Sequence, residues 1–336
     1  MKKNTICFVA GRSGGHLIPA LTLARQEKEK KPNTKILFFS TATTLDKKIT
    51  YGAQEIDVHV PLSLENIPYK KFYRFPIFFW NFFRSFATAL RQLRTHKPDK
   101  IVSTGGYISL PIFFAAQCLK IPRHLYELNA VPGKTTKFLA PLAHTIHICF
   151  ASAEKYFPKN KCAFTPYPNR FVKKIFKKRD KIFEELDFFP TKKTILVLGG
   201  SQGSVFLNKT VGQWIAHSPE LQNRIQVIHQ TGATDKTDWA QEYKKLHVPA
   251  LVFDFCNNVE DYYQIADLVI CRSGAGSLFE TLFFKKQCIT VPLETKQNDH
   301  QLHNALGMQQ MHPELFTVVR QNEVLEKVSI FCKKLL

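Results

Sequence analysis

No run of 18 consecutive apolar residues occurs in this 336-residue sequence, which leaves no candidate for a bilayer-spanning helix. Paired cysteines are missing as well. The eight Cys, at 7, 118, 149, 162, 256, 271, 288 and 332, form no C-x-x-C pair and no zinc-ligand spacing, so they read as reduced core thiols of a cytosolic chain. Neither a G-x-G-x-x-G nor a G-x-x-x-x-G-K-[ST] sequence is present, which disfavours a nicotinamide dinucleotide and a P-loop nucleotide. No D-x-D pair stands at a strand end, and no bound metal or cofactor is expected. Acidic residues are scarce: 27 Asp and Glu face 47 Lys and Arg, a net charge of +20 that calls for an anionic partner.

What is present is an ordinary globular composition, 44% hydrophobic and 22% charged, which excludes disorder, collagen and coiled coil as the main architecture. The length exceeds what one core usually supports and predicts two domains. Charge divides unevenly between them: residues 1–167 carry 25 basic and 9 acidic side chains, residues 168–336 carry 22 and 18. The first half is the one that meets the polyanion. Two lysines and the apolar run Ile6 to Ala10 resemble the start of a signal peptide, but Arg12 interrupts the run and a glycine turn follows, so export is not expected.

Two segments open in the same way. Strand Ile6 to Ala10, loop GRSGGH, periodic segment Leu17 to Lys30 and strand Ile36 to Phe39 form one βαβ beginning; Thr194 to Leu198, loop GGSQGS and Val205 to Ile215 start another. Between them Pro166, Pro168, the basic run Lys173 to Lys181 and Pro190 mark a connection, which places the domains at 1–167 and 168–336. Further strands are predicted at Val227 to His229, Leu251 to Phe255, Leu268 to Ile270 and Ile289 to Val291. The fold class is α/β, with two Rossmann-like, doubly wound parallel sheets facing a cleft. Four glycine-bearing loops follow strands: Gly11 to His16, Gly105 to Tyr107, Gly199 to Gly203 and Ser273 to Gly276. Glycine admits backbone amides close to an anion, and the following helix N-terminus adds partial positive charge, so four such loops point to phosphates. With dinucleotide and P-loop sites disfavoured, a nucleotide sugar remains.

The segments GRSGGHLIPA, STGGYISLP, YELNAVPGKTTKFLA, LGGSQGSVFLN, HQTG, CRSGAGSLFET and NDHQLHNA resemble, in order and spacing, the MurG family, the N-acetylglucosaminyltransferases that make lipid II of peptidoglycan. The resemblance runs from about Ile6 to Ala305. It implies a GT-B fold, UDP-N-acetylglucosamine as donor, lipid I as membrane-bound acceptor, inversion at the anomeric carbon, and a place at the cytoplasmic face of the membrane. Carried over, Ser13, Gly14 and Gly15 match the loop that meets the acceptor diphosphate, and Asn129 a residue near the transferred sugar. Arg170 and Ser201 match positions near the donor diphosphate, and Cys256 falls where backbone groups hold uracil. Ala275, Gly276, Ser277, Leu278, Phe279 and Glu280 match the nucleotide-binding loop and helix start, with Glu280 on the ribose, and Gln301 matches a sugar-hydroxyl contact. A carboxylate accepts two hydrogen bonds from a vicinal diol, which suits Glu280 independently. His16, at a loop-helix junction, has the pKa range of a general base. His144 with His147, and His300 with His303, read as local packing rather than as metal ligands. Three departures stand out: Arg12 where the family usually has Gly, Ser13 for Thr, and Tyr126 and Leu128 for the His and Gln that flank the family's Glu.

The strongest local bias lies between Tyr69 and Phe86, where ten aromatics gather. No acidic residue stands between Glu65 and Asp99, whereas Lys70, Lys71, Arg74, Arg84, Arg91 and Arg94 do. Helical spacing sets Phe79, Phe82, Phe86, Leu90 and Leu93 toward a core and leaves Phe75, Phe78 and Trp80 surplus, as for peripheral docking on an anionic membrane. Two competing readings follow from the same features. A different GT-B enzyme, such as another lipid-linked glycosyltransferase or a UDP-sugar epimerase, shares the loops. A single-strand nucleic-acid binder explains the charge but not Glu280, the SQGS loop or NDHQ, so no nucleic acid is expected.

Overall fold

The computed structural model describes residues 4–65, 68, 72–171, 175–200, 202–256, 258–294 and 300–324; Ser201, Tyr69, Lys70, Lys71 and Cys332 lie outside them. The chain divides into two compact units, Met1–Arg170 and Phe171–Leu336.

The first unit holds seven strands: β1 (Thr5–Val9), β2 (Lys35–Thr41), β3 (Val58–Leu62), β4 (Lys100–Ser103), β5 (Arg123–Glu127), β6 (Thr145–Ile148) and β7 (Cys162–Phe164). They pair in the order β3-β2-β1-β4-β5-β6-β7, every pair parallel. Parallel strands require covered faces, and the alternation along them supplies two sets of apolar side chains. Cys7, Val9, Leu37, Phe39 and Ile101 pack on one side with Ala89, Leu93, Ile112 and Phe113. Ile6, Phe8, Ile36, Phe38 and Val102 pack on the other with Leu17, Ala20 and Ala24. The helices supplying these contacts are α1 (Gly14–Lys30), α3 (Phe75–His96) and α4 (Ser109–Cys118); α2 (Thr44–Thr50) and α5 (Lys134–Leu139) are short.

Six strands form the second unit: β8 (Lys193–Leu198), β9 (Ile225–Gln230), β10 (Ala250–Phe253), β11 (Leu268–Cys271), β12 (Gln287–Thr290) and β13 (Phe316–Val318), in the order β10-β9-β8-β11-β12-β13 and again all parallel. Its helices are α6 (Arg179–Glu185), α7 (Val205–Ala216), α8 (Pro219–Gln222), α9 (Trp239–Lys245), α10 (Glu260–Ile265), α11 (Ala275–Phe283) and α12 (His300–Met311). The two βαβ openings expected from the sequence are β1-α1-β2 and β8-α7-β9.

A buried polar network stiffens this unit. His229 of β9 sets Nε2 3.0 Å from Asn208 Oδ1 and Nδ1 2.9 Å from the Tyr243 hydroxyl, while the Asn208 amide donates to Thr231 O and Asp235. Burial lowers the His229 pKa to about 4, so the ring is neutral. Every contact it makes therefore suits the uncharged form.

One expectation is corrected in α3. Phe79, assigned to the core by spacing, is half exposed, and Phe75 and Phe78 are only partly exposed. The buried line of the helix is Ser85, Ala89 and Leu93, whose two small members let α3 approach its neighbour closely. Large size drew the sequence pattern toward Phe79, but close packing selects the small side chains and turns Ile77, Trp80 and Phe83 outward.

Candidate active site

In an open parallel sheet the strand order reverses at a switch point, and the loops leaving the carboxyl ends on either side splay apart into a crevice. In the first unit the reversal lies between β1 and β4. The loop leaving β1 runs from Ala10 to Ser13 and enters α1. Ser13 is the N-cap, but its hydroxyl makes no capping bond; its carbonyl accepts from the amides of His16 and Leu17 at 3.1 and 3.0 Å. The amides of Gly14 and Gly15 have no protein partner among the described residues, as expected for the first turn of a helix.

A residue that the sequence did not single out fixes this loop. Asp46, fully buried in α2, accepts from the Arg12 amide at 2.9 and 3.1 Å, from the Thr41 amide at 2.9 Å, from the Thr43 hydroxyl at 2.7 Å and from the Thr41 hydroxyl. Its only signal in the sequence is the N-terminal T-x-x-D pattern of a short helix, which carries no hint of the loop 34 residues away.

His16 lies in the first turn of α1 and abuts the loop leaving β4. A side chain at Gly105 would come within 3.2 Å of His16 Cε1, and Gly105 has φ +103°, so both sterics and backbone demand glycine there. Thr104 donates from its hydroxyl to His16 O at 2.9 Å. His16 Nδ1 is enclosed without a hydrogen-bond partner. Burial lowers the ring's pKa, against an opposing backbone hydrogen bond with Thr104, and so keeps the imidazole uncharged at neutral pH.

At the end of β5 stands Glu127, buried and not assigned a role by the sequence reading. It accepts from the Asn129 amide at 2.9 Å and from Asn129 Nδ2 at 3.0 Å. Burial pushes its pKa up to about 7, while bonds from Asn129, Thr136 and Gly133 pull it down. Asn129 is thus oriented by Glu127. The departures beside it do not disturb this: Tyr126 points to the opposite face of the strand, where it stacks on His147 with ring centroids 4.2 Å apart, and Leu128 is buried. His147 packs with Tyr126 and His124, and the His144 ring accepts from the Arg123 amide, so neither His of that pair faces Asn129.

In the second unit the reversal lies between β8 and β11, where the Gly199–Ser204 and Arg272–Gly274 loops emerge. Gly203 (φ +76°) and Gly232 (φ +80°) meet backbone to backbone: a side chain on Gly203 would lie 2.3 Å from Thr231 O. This contact fixes Gln202 and Gly203 against Thr231 and Gly232. Arg272, buried and also unassigned by the sequence reading, ties three loops together. Its Nε donates to Ser204 Oγ at 2.9 Å, and its Nη1 to Val291 O and Pro292 O at 3.2 Å and to Gln321 Oε1 at 3.0 Å. Burial lowers its pKa to about 10, which leaves it charged at neutral pH.

Ala275 to Glu280 form the first turns of α11 directly after this loop; Ala275 and Leu278 are buried, whereas Gly276, Ser277, Phe279 and Glu280 are partly exposed. Gln301 in α12 accepts from the Leu293 amide at 2.9 Å, which anchors its side chain at the loop leaving β12. Cys256 is partly exposed after β10, beside Tyr262. Arg170 is the last residue of the first unit. Ser201 lies outside the described residues. Among the described residues no group of three His, Cys, Asp or Glu is placed to hold a metal ion.

The first unit holds a switch-point loop with unpartnered helix amides and an uncharged histidine, the second a switch-point loop followed by a helix-borne carboxylate, and the family matches make this two-unit chain a glycosyltransferase. Residues 6–148 match the glycosyltransferase family 28 N-terminal domain and residues 194–331 its C-terminal domain. The UDP-N-acetylglucosamine--N-acetylmuramyl-(pentapeptide) pyrophosphoryl-undecaprenol N-acetylglucosamine transferase of Thermodesulfovibrio yellowstonii is 32% identical over 302 residues, spanning 89% of this chain and 81% of the relative. The protein of the same name from Chlorobium luteolum is 33% identical over 320 residues, spanning 90% and 82%. The crystal structure of Acinetobacter baumannii MurG superposes with a TM-score of 0.72 at 22% identity, covering 99% of this chain and 91% of that one. A UDP-GlcNAc 2-epimerase from Neisseria meningitidis bound to UDP-GlcNAc superposes with a TM-score of 0.65 at 11% identity, covering 98% and 91%, a likeness of fold alone. The chain belongs to the MurG family of N-acetylglucosaminyltransferases.

Proposed function

We propose that this chain transfers N-acetylglucosamine from UDP-N-acetylglucosamine to a hydroxyl of the muramyl sugar of lipid I, giving lipid II and UDP. The observation that carries the reading is the conjunction of intact switch-point loops in both units with relatives that share one named activity along nine-tenths of the chain. In this scheme the His16 ring takes the proton of the attacking hydroxyl, the new bond forms at the anomeric carbon with inversion, and the electron pair of the broken bond leaves with UDP. Asn129, oriented by Glu127, serves the transferred sugar, and the Gly14 and Gly15 amides with Ser13 serve the acceptor diphosphate. Arg170, Ser201, Cys256, residues 275–280 and Gln301 serve the donor. UDP-N-acetylglucosamine should raise the melting temperature of the purified protein, and radiolabelled sugar should appear in lipid II. Release of a free hexosamine or its epimer without transfer would favour the epimerase reading instead. Salt-sensitive oligonucleotide binding with no thermal shift from UDP would favour the nucleic-acid reading.

The same reading assigns α3 to the anionic cytoplasmic face of the membrane. Among the described residues no helix is long and apolar enough to cross a bilayer. Trp80, Phe83 and Phe138 are 71%, 62% and 61% exposed, joined beneath by a run of ring contacts from Phe82 through Phe114 to Phe138. Aromatic side chains next to Arg84 and Lys137 match the two demands of an interface, apolar insertion and charge, at about 1 kcal/mol per cation. Replacing Ile77, Trp80 and Phe83 with Ser should weaken sedimentation with anionic vesicles and raise the KM for lipid acceptor several-fold, with UDP affinity unchanged. Undiminished vesicle binding by the folded variant would move the docking surface elsewhere.

A further inference from the structure

We propose that Arg12, the residue that stands where glycine is usual in the resembling family, is a specificity-determining phosphate clamp for a diphosphate-bearing acceptor. The inference rests on the reading of the Ser13–His16 loop as the acceptor loop and adds to it a side chain that this chain supplies on its own.

The first observation is conformational. Arg12 has φ +68°, the left-handed region, where a Cβ costs energy that glycine does not incur. The loop has no freedom to relax out of it, because both oxygens of buried Asp46 hold the Arg12 amide and three further donors hold Asp46. Glycine at position 11 is pinned in the same way, since a side chain there would come within 3.0 Å of the Thr41 amide. An arginine thus occupies a position where glycine would be less strained, held there by the Asp46 carboxylate.

The second observation is where that side chain goes. Its guanidinium carbon lies 5.5 Å from the centroid of the Tyr107 ring, and the Tyr107 hydroxyl is tied to Leu64 O at 3.0 Å. The guanidinium therefore lies near the Tyr107 ring and also shares a side-chain hydrogen bond with Tyr107. Arg12 is exposed and makes no ion pair among the described residues. Its backbone is followed at once by the uncapped Ser13 hydroxyl and the unpartnered Gly14 and Gly15 amides. An exposed guanidinium that rests near Tyr107, shares one side-chain hydrogen bond with it and keeps further N–H groups, close in sequence to two unpartnered amides, is the donor set that a phosphate with two or three free oxygens requires. An uncharged sugar hydroxyl would leave most of these donors unused.

The test separates this role from structural bracing and from steric obstruction. Arg12→Gly should keep or raise the melting temperature, since it relieves the left-handed strain, yet raise the acceptor KM about tenfold to a hundredfold. Its kcat and its KM for UDP-N-acetylglucosamine should stay within about twofold of the parent's, and the acceptor KM should lose part of its salt dependence. Arg12→Lys, which keeps the charge but not the fork, should fall between. Binding of inorganic diphosphate, followed by calorimetry, should weaken in parallel and does not depend on turnover. A parental or lowered acceptor KM and unchanged diphosphate binding in Arg12→Gly would overturn the proposal, as would a lowered melting temperature with equal losses for donor and acceptor. If the parent transfers no sugar, the functional reading fails, and diphosphate binding by parent and variant still decides the role of Arg12.

Discussion

His16→Ala is expected to lower turnover about a hundredfold or more with saturating lipid acceptor, while UDP affinity stays near that of the parent. The expectation follows from where the ring sits. Its backbone is held by Ser13 and Thr104, and its face lies against Gly105, so removal of the imidazole leaves the loop and the helix start in place. The lowered pKa describes a ring that is neutral near pH 7, the protonation state that a general base requires. The sign of the pH dependence follows. A base must be unprotonated, and burial moves the histidine below its ordinary 6.5, so kcat/KM should fall on the acid side with a midpoint below 6.5. In the Ala variant that acid limb should vanish along with the rate. Steady-state kinetics across pH decides it: near-parental turnover, or an unchanged acid limb, would place the base on another residue.

The second large effect is expected on the donor side. Glu280→Gln keeps size and helix propensity but removes the charge, and it should weaken UDP binding roughly ten- to over a hundredfold, equivalent to about 1.5 to 3 kcal/mol for a lost charge-assisted hydrogen bond. Glu280 is partly exposed in the second turn of α11, after the loop that leaves β11 at the switch point, while Ala275, Leu278 and Thr281 are the buried residues of that helix. The fold should therefore be untouched. Titration calorimetry with UDP that returns the parental affinity would remove Glu280 from the site.

Comparison of these two positions shows what could be read early. Both occur in loops whose glycines and helix starts are adjacent in sequence, and a strand followed by a glycine loop and an amphipathic helix is a local pattern. Strand positions, both βαβ openings and the four glycine loops were legible for that reason: apolar runs of four to seven residues, bounded by turn residues, bury wherever they go. The residues that hold those loops were not legible. Asp46 reaches Arg12 across 34 positions and Arg272 reaches Ser204 across 68, and neither side chain has a periodicity that announces its partner. Glu127 likewise gains its raised pKa from being buried by elements distant in the chain, a property that no local spacing encodes.

The amino-acid sequence by itself determined the α/β class, the uneven charge, the phosphate-suited loops and the family resemblance, because propensity, alternation and glycine placement act over a few residues and do not depend on what packs against them. Tertiary structure decided which side of α3 faces out, since that depends on how closely Ser85 and Ala89 let the helix approach its neighbour. It also decided that Tyr126 points away from Asn129, and that Arg12 is held in a left-handed conformation with its guanidinium over Tyr107. Those outcomes turn on close packing and buried hydrogen bonds between segments far apart in the chain, and such terms exist only once the sheet has brought the segments together.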